Sequence, residues 1–453
     1  MLARTGVLGN WSEGYQNVKL RVMHVFFSGI GGTGIGPLAL IAKQAGYQVS
    51  GSDAKDSSHI KELREHGIGD IHIGQTEEAI ANAHAKTPID WFIYSSALPK
   101  TDPNHPELKF CEANGIRTSR RDEFLSQLIA DKNLKLVAVA GTHGKTTTTA
   151  MAIWLAQKLS LKAGWSVGAK ISFGDMGHLE PDSEYFIYEA DEFDRNFLAF
   201  YPHMALITGL DWDHPDVYPT RESYYDAFRE FLDQSERVAL WHSDAESLAL
   251  EELDKYLVLD ETTPAIDERL KLKGRVNRLD AWLVAQTLAQ LPQFPFEKNL
   301  EILNDFPGLS RRFEQIAPNI YSDYAHTPPK IRGALQLAGE VAGENIVVVY
   351  EGLHNTRQHF IKDELGSLFD SVKQLYIVPS YLAREDPKLK ILSPTNLLNM
   401  LSNKSKGHAE AVTLDGELAA KLKKHAADGD LVLALSAGGS GSLDEWLHEQ
   451  IAK

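Results

Sequence analysis

Ala140-Gly141-Thr142-His143-Gly144-Lys145-Thr146-Thr147-Thr148-Thr149 is the stretch from which the rest of the chain can be read. It follows an apolar, β-branched run at 134–139 and opens an Ala- and Leu-rich segment at 146–159, giving the order strand, glycine turn, helix. A turn in that setting suits a phosphate, because glycines let backbone N–H groups turn inward around an anion and the helix start adds the positive end of its dipole. Lys145 supplies a mobile charge, and the Thr146 hydroxyl can ligate Mg²⁺. The general phosphate loop has four residues between its two glycines. Here Gly141 and Gly144 are separated by two, and Val139 stands where the first glycine would be.

Working outward, Tyr185-Phe186-Ile187-Tyr188 reads as a strand ending in Glu189, Asp191, Glu192 and Asp194. Carboxylates at a strand end repel one another unless a cation joins them, which points Glu189 toward Mg²⁺. The next strand, 204–208, leads to Gly209-Leu210-Asp211-Trp212-Asp213-His214-Pro215-Asp216, where His214 is a candidate ligand of metal or phosphate. Upstream, Met23-His24-Val25-Phe26-Phe27 begins the first convincing strand, and Gly29, Gly31 and Gly34 follow it in G-x-G-x-x-G register. Ile30, Gly32 and Thr33 complete that loop, and Asp53 lies about 20 positions on, where a dinucleotide fingerprint has its ribose-binding acid. The same backbone holds any diphosphate, so NAD and a nucleotide sugar both remain open at this point. Ser95-Ser96-Ala97 closes a strand at 91–97, at the carboxyl end where parallel sheets bind ligands.

With 453 residues the chain exceeds the reach of one core, and strands alternating with helices throughout imply α/β domains. The expected division is a polar, disordered leader at 1–22, a Rossmann-like domain at 23–132, a phosphate-loop domain with a mostly parallel sheet at 133–309, and a second Rossmann-like domain at 310–453. Its net charge of −16, from 62 acidic and 46 basic residues, opposes binding to nucleic acid. Cys111 is the only cysteine, which excludes an internal disulfide or a cysteine metal cluster and fits a reducing cytoplasm. No run reaches the roughly 18 apolar residues of a membrane span, so no membrane partner is expected.

The short Gly-Thr-His-Gly-Lys-Thr-Thr loop, the earlier glycine loop, the acidic strand end and the Asp-His pair together resemble the Mur ligase family, from Met23 onward. That family joins amino acids or peptides to UDP-muramic acid precursors of peptidoglycan with ATP, so the short loop becomes the family's own pattern. The resemblance implies three domains, for the UDP substrate, ATP and the incoming amine, and a cytoplasmic monomer or weak homodimer. It places ATP on Gly141, Thr142, His143, Gly144, Lys145, Thr146 and Thr147, with Asn277 at the adenine, Arg312 at the phosphates and Asp323 at the ribose. Two Mg²⁺ ions are implied, one on Thr146 and Glu189 and one on His214, with Lys145, Glu189, His214 and Arg312 as the catalytic set. The UDP part of the substrate falls to Gly29, Ile30, Gly31, Gly32, Thr33, Gly34, Asp53, Ser95, Ser96 and Ala97.

Ser95-Ser96-Ala97, Arg120-Arg121-Asp122-Glu123 and His354-Asn355-Thr356-Arg357, the last in a loop one residue short, resemble the branch of the family that adds L-alanine to UDP-N-acetylmuramate, whereas 189–194 and 213–218 resemble at least as well the branch that adds a murein tripeptide. Tyr324, His326 and Arg357 are implied near the amine. The chain departs from the family in three places: Asp280 stands where a second asparagine is common, the 241–274 region is short, and no lysine falls between Lys170 and Lys255 to serve as a carbamylated metal support. An NAD-dependent oxidoreductase, or a nucleotide-sensing module without catalysis, are the readings from other classes.

Overall fold

The computed structural model describes residues 21–214, 217–251, 254–382, 385–439 and 441–451, so most of the expected leader and the pair Pro215-Asp216 lie outside the described residues. Arg21, assigned above to that leader, is tied to the first domain: its guanidinium donates to the Pro88 carbonyl at 3.2 Å and pairs with Asp90. Three sheets follow one another along the chain. The first contains β1 (His24–Ser28), β2 (Gln48–Asp53), β3 (Ile71–Ile73), β4 (Trp91–Tyr94) and β5 (Arg117–Arg120), all parallel, in the order β3-β2-β1-β4-β5. Strand order reverses between β1 and β4, and both the glycine loop after β1 and Ser95-Ser96-Ala97 after β4 open at that switch point.

The second sheet comprises β6 (Lys135–Ala140), β7 (Ala163–Ser166), β8 (Gly177–His178), β9 (Tyr185–Glu189), β10 (Met204–Ile207), β11 (Val238–Trp241) and β12 (Tyr256–Leu259). Its order is β12-β11-β10-β6-β9-β7-β8, parallel except between β7 and β8. With β6 between β10 and β9, the carboxyl ends that carry the Gly141 loop, Glu189 and the 208–214 segment are neighbours. The third sheet contains β13 (Glu314–Ala317), β14 (Ile320–Asp323), β15 (Ile346–Leu353), β16 (Gln374–Tyr381), β17 (Ala409–Ala411) and β18 (Leu431–Leu435), in the order β13-β14-β18-β15-β16-β17, antiparallel only at β13–β14.

Strand residues alternate between two apolar clusters, as with Val347 and Val349 on one face of the third sheet and Val348 and Tyr350 on the other. Sheets covered on both faces need continuous apolar runs, which is why the strands stood out in the sequence. Cys111 is part of such a core; burial pushes its thiol up to about 12, leaving it inert. No described helix is long and apolar enough to cross a membrane.

The domains pack closely. Phe27, Phe124 and Leu128 of the first share one apolar cluster with Tyr188, Phe197 and Phe200 of the second. Gly177 lies against Pro37, whose carbonyl oxygen would be 2.4 Å from any Cβ added there, so only glycine fits. On the other side, helix Arg275–Leu288 meets helix Pro328–Ala342: the Gly274 N–H donates to Glu340 Oε2 at 2.8 Å, and Arg278 Nη2 pairs with Glu340 Oε1 at 2.8 Å. These contacts bring the ligand-binding ends of the second and third sheets together.

Candidate active site

The short loop owes its shape to the strand beside it. Gly141, at φ 136°, would place a Cβ 2.4 Å from Thr208 Oγ1, and Gly144, at φ 75°, would place one 2.7 Å from Asp280 Oδ1, so neither position accepts a side chain. Thr142 N–H donates to the Gly209 carbonyl at 2.8 Å, and its hydroxyl bonds the Asp211 carbonyl and Tyr224, each at 2.7 Å. Thr142 therefore anchors the loop with its side chain. The imidazole of His143 lies 3.6 Å from Asp211, and burial pulls its pKa down.

Lys145 starts helix Lys145–Lys158, and its ammonium bonds Glu192 Oε2 at 2.7 Å and the Gly141 carbonyl at 2.5 Å. Burial alone would lower its pKa, but Glu192, Asp191 and Glu189 outweigh that and keep it charged. Thr146 Oγ1 donates to Glu189 Oε1 at 2.7 Å, while Glu189 Oε2 accepts from Gly168 N–H at 2.7 Å. A hydroxyl and a carboxylate oxygen side by side at a phosphate loop suit Mg²⁺, which binds few protein oxygens and takes the rest from phosphates and water. His214 is elsewhere: its Nε2 lies 3.8 Å from both Glu192 Oε1 and Asp213 Oδ2. Among the described residues no three His, Cys, Asp or Glu side chains form a metal cluster. His214 adopts φ 56°, a left-handed conformation costly for a residue with a side chain, and its imidazole meets the Phe193 ring edge to face, with centroids 5.0 Å apart.

The loop, Glu189, Asn277, Arg312, Asp323 and Tyr324 line one cavity of about 320 Å³ between the second and third domains. Arg312 is half-buried there, 4.4 Å from the Tyr324 ring, and Asp323 accepts from the backbone N–H groups of Phe313 and Ala325 at 2.8 Å each. Asn277 lies at the cavity wall with its amide nitrogen on the Lys273 carbonyl at 2.8 Å. A second cavity, about 960 Å³, adjoins it and draws Ala97 and Lys100 from the first domain, His143, Asp191 and His214 from the second and Arg357 from the third. Arg357 pairs with Asp213 at 3.3 Å; burial works against ionisation of Asp213, but His214, Arg357 and Lys330 hold its pKa well below the usual carboxylate range.

Of the three residues expected near the amine, only Arg357 lines this larger cavity. Tyr324 faces the smaller one, and His326 folds back, with Nδ1 2.8 Å from the Tyr324 carbonyl, into a buried position that pushes its pKa well below the ordinary value. In the first domain, Gly29 and Ile30 donate to the Ser52 carbonyl at 2.8 and 2.9 Å, the Ile30 side chain is buried in the core, and the Gly31 N–H donates to Asp53 Oδ2 at 2.8 Å. Asp53 therefore faces the loop, and its other oxygen accepts from Lys55 N–H at 3.2 Å.

Three groups at the site were given no role from the sequence. Arg121 lies against Gly34, where a Cβ would be 1.9 Å from its Nη1, and its Nη2 donates to Asp191 at 2.9 Å, joining the glycine loop to the acid cluster. Glu192, buried between Lys145 and His214, was visible only as one of several acids. Lys330 follows Thr327-Pro328-Pro329, a helix start that drew no attention to the residue beyond it.

Residues 24–133 match the Mur ligase family, catalytic domain; 139–258 match the Mur ligase middle domain; 311–438 match the Mur ligase, glutamate ligase domain. The UDP-N-acetylmuramate–L-alanine ligase of Renibacterium salmoninarum is 30% identical over 455 residues, covering 91% of this chain and 93% of that one. The enzyme of the same name from Frankia casuarinae is 30% identical over 487 residues, covering 92% and 95%. Among solved structures, the fold resembles the UDP-N-acetylmuramate–alanine ligase of Thermotoga maritima, with a TM-score of 0.71 at 24% identity over 92% of this chain and 96% of that one. It also resembles a murein peptide ligase of Psychrobacter arcticus, with a TM-score of 0.64 at 21% identity over 95% and 98%. The chain belongs to the Mur ligase family: it is an ATP-dependent acid–amino-acid ligase of peptidoglycan precursor synthesis.

Proposed function

We propose that this ligase activates the carboxylate of UDP-N-acetylmuramate and joins it to L-alanine, in the cytoplasm, as a monomer or weak homodimer. The reading is carried by whole-length identity of 30% to ligases named for that reaction. Carboxylate is a poor acceptor for an amine, so the reaction first makes an acyl phosphate, which the amine then attacks with release of phosphate. In this reading Lys145 exchanges its bond to Glu192 for the ATP phosphates, and Arg312 neutralises charge from the domain boundary. Asn277 and Asp323 face the nucleoside. Mg²⁺ on Thr146 and Glu189 would offset phosphate charge and align its oxygens, and His214 would serve a second ion.

The diphosphate of the sugar nucleotide fits the first-domain loop. Among the described residues, the Thr33 and Gly34 N–H groups are not used in the loop's own backbone bonding, helix Gly36–Gln44 begins beside them, and Arg121 adds charge. In this reading Gly31, Gly32, Ser95, Ser96 and Ala97 border the diphosphate, with Ile30 and Asp53 holding the loop from behind. Arg357, in the larger cavity, would meet the carboxylate of the incoming amino acid. Phosphate release with ATP and UDP-N-acetylmuramate, with either L-alanine or the murein tripeptide as acceptor, tests the proposal. Turnover only with L-alanine supports it; turnover only with the tripeptide assigns the recycling reaction instead, and NAD reduction without phosphate release would overturn the class.

A further inference from the structure

Lys330 has no part in the roles given so far. It sits in the first turn of helix Pro328–Ala342 and lines the 320 Å³ cavity with Lys145, Thr146, Glu189 and Arg312. Pro329, beside it, lines both cavities, so Lys330 stands at the wall between the nucleotide space and the cleft where the other substrates meet. The neighbouring cations have protein partners: Lys145 has Glu192 at 2.7 Å, Arg357 has Asp213 at 3.3 Å and Arg332 has Glu364 at 3.4 Å. Among the described residues the Lys330 ammonium has no hydrogen-bond or ion-pair partner. Burial first, then repulsion from Lys145 and Arg357, push its pKa down to about 8, with Asp213 and Glu192 pulling the other way. An unpaired ammonium among like charges, facing a cavity, is a place for an anion.

Two anions come to this region, a phosphoryl group and the carboxylate of the amine. Arg221, Arg332 and Arg357 line the larger cavity, where the carboxylate belongs, and Lys330 does not. We propose that Lys330 is a further catalytic residue whose ammonium contacts the phosphoryl group in transfer, first as the γ-phosphate of ATP and then within the acyl phosphate. This rests on the ligase reading above. In the first step a carboxylate oxygen bonds to the γ-phosphorus while the bond from that phosphorus to the β–γ bridging oxygen breaks, and ADP leaves with the electron pair. In the second, the amine nitrogen bonds to the acyl carbon, the carbon–oxygen bond to phosphate breaks, and the amine proton departs with hydrogen phosphate. Lys330 holds the phosphoryl oxygens through both.

The test compares Lys330→Met and Lys330→Arg with the native enzyme, using calorimetric titration with Mg²⁺ and either ADP or the β,γ-imido analogue of ATP, together with steady-state phosphate release. The expected result for Lys330→Met is ADP affinity unchanged within about twofold, affinity for the imido analogue reduced by roughly tenfold or more, and kcat reduced by at least roughly a hundredfold, with Lys330→Arg recovering much of both. Equal losses for ADP and the analogue would overturn the proposal, as would a kcat near the native value or an effect confined to the KM of the amine. Should Lys330→Met fail to fold, Lys330→Gln serves in the same comparison. If the native enzyme released no phosphate with its substrates, the ligase reading would fall, while the two nucleotide affinities would still decide whether Lys330 meets the γ-phosphate.

Discussion

Replacing Asp280 with asparagine should stabilise the protein, increasingly so as pH rises. The Asp280 side chain is 3% exposed, beneath Gly144 and beside Thr148. Burial pushes its carboxyl from the ordinary 3.8 up to about 8, opposed only by the Thr148 hydroxyl. Between those values the unfolded chain has released a proton that the folded chain retains. Stability therefore falls as pH rises through this window, being fully present below 3.8 and lost by about 8. At about 1.4 kcal/mol per pH unit, the whole interval sets a ceiling of ~6 kcal/mol. Local relaxation and residual structure in the unfolded state reduce this, and about 2 kcal/mol at pH 8 is expected. Asparagine keeps the shape and cannot ionise. Because a three-domain chain does not unfold in one step, the readout is the midpoint of the central domain's transition in calorimetric scans of native and Asp280→Asn proteins at about pH 5, 6.5 and 8. The midpoint should rise by roughly 4–8 °C at pH 8 and by about a third of that near pH 5. A gain independent of pH, or a loss at pH 8, would refute the reasoning.

Lys145→Ala should lower kcat at least roughly a hundredfold, since one electrostatic contact to a transferring group is worth ~2.7–4 kcal/mol of barrier; a near-native rate would remove the phosphate role. Glu189→Ala leaves Thr146 without its 2.7 Å partner and should shift the Mg²⁺ activation curve to higher concentration, with partial rescue by excess Mg²⁺; an unchanged curve counts against a metal at that position. Gly34→Ala drives a methyl group to 1.9 Å from Arg121 Nη1, so the guanidinium must leave the glycine loop. The KM for the sugar nucleotide should rise roughly tenfold or more while that for ATP stays put, and parallel changes in both would place Arg121 outside the sugar-nucleotide site.

The parallel sheets were legible because their central strands, such as Lys135–Ala140 and Leu431–Leu435, are buried on both faces and appear as apolar runs, and the glycine turns because only glycine fits them. Gly141 and Gly144 stood out by type and spacing, although the residues that crowd them, Thr208 and Asp280, are distant in sequence. Partners brought together by folding were harder. Nothing local joins Arg121 to Gly34, Lys145 to Glu192 or the Asp53 carboxylate to the Gly31 N–H. Tyr324 and His326 are two residues apart with their rings edge to face at 5.2 Å, yet Tyr324 lines the smaller cavity while His326 is buried behind it. Lys330 had no motif; its isolation among Lys145, Arg357 and Asp213 exists only once the second and third domains are closed on one another.

The central claim is that the three domains assemble a site for carboxyl activation by phosphoryl transfer, and oxygen tracing tests it most directly. UDP-N-acetylmuramate labelled with ¹⁸O in its carboxylate is turned over with ATP and L-alanine, and the released phosphate is examined by mass spectrometry. Passage through an acyl phosphate requires one carboxylate oxygen to leave with the phosphate, so each turnover should yield phosphate carrying one ¹⁸O. Amide formed alongside unlabelled phosphate would contradict the account.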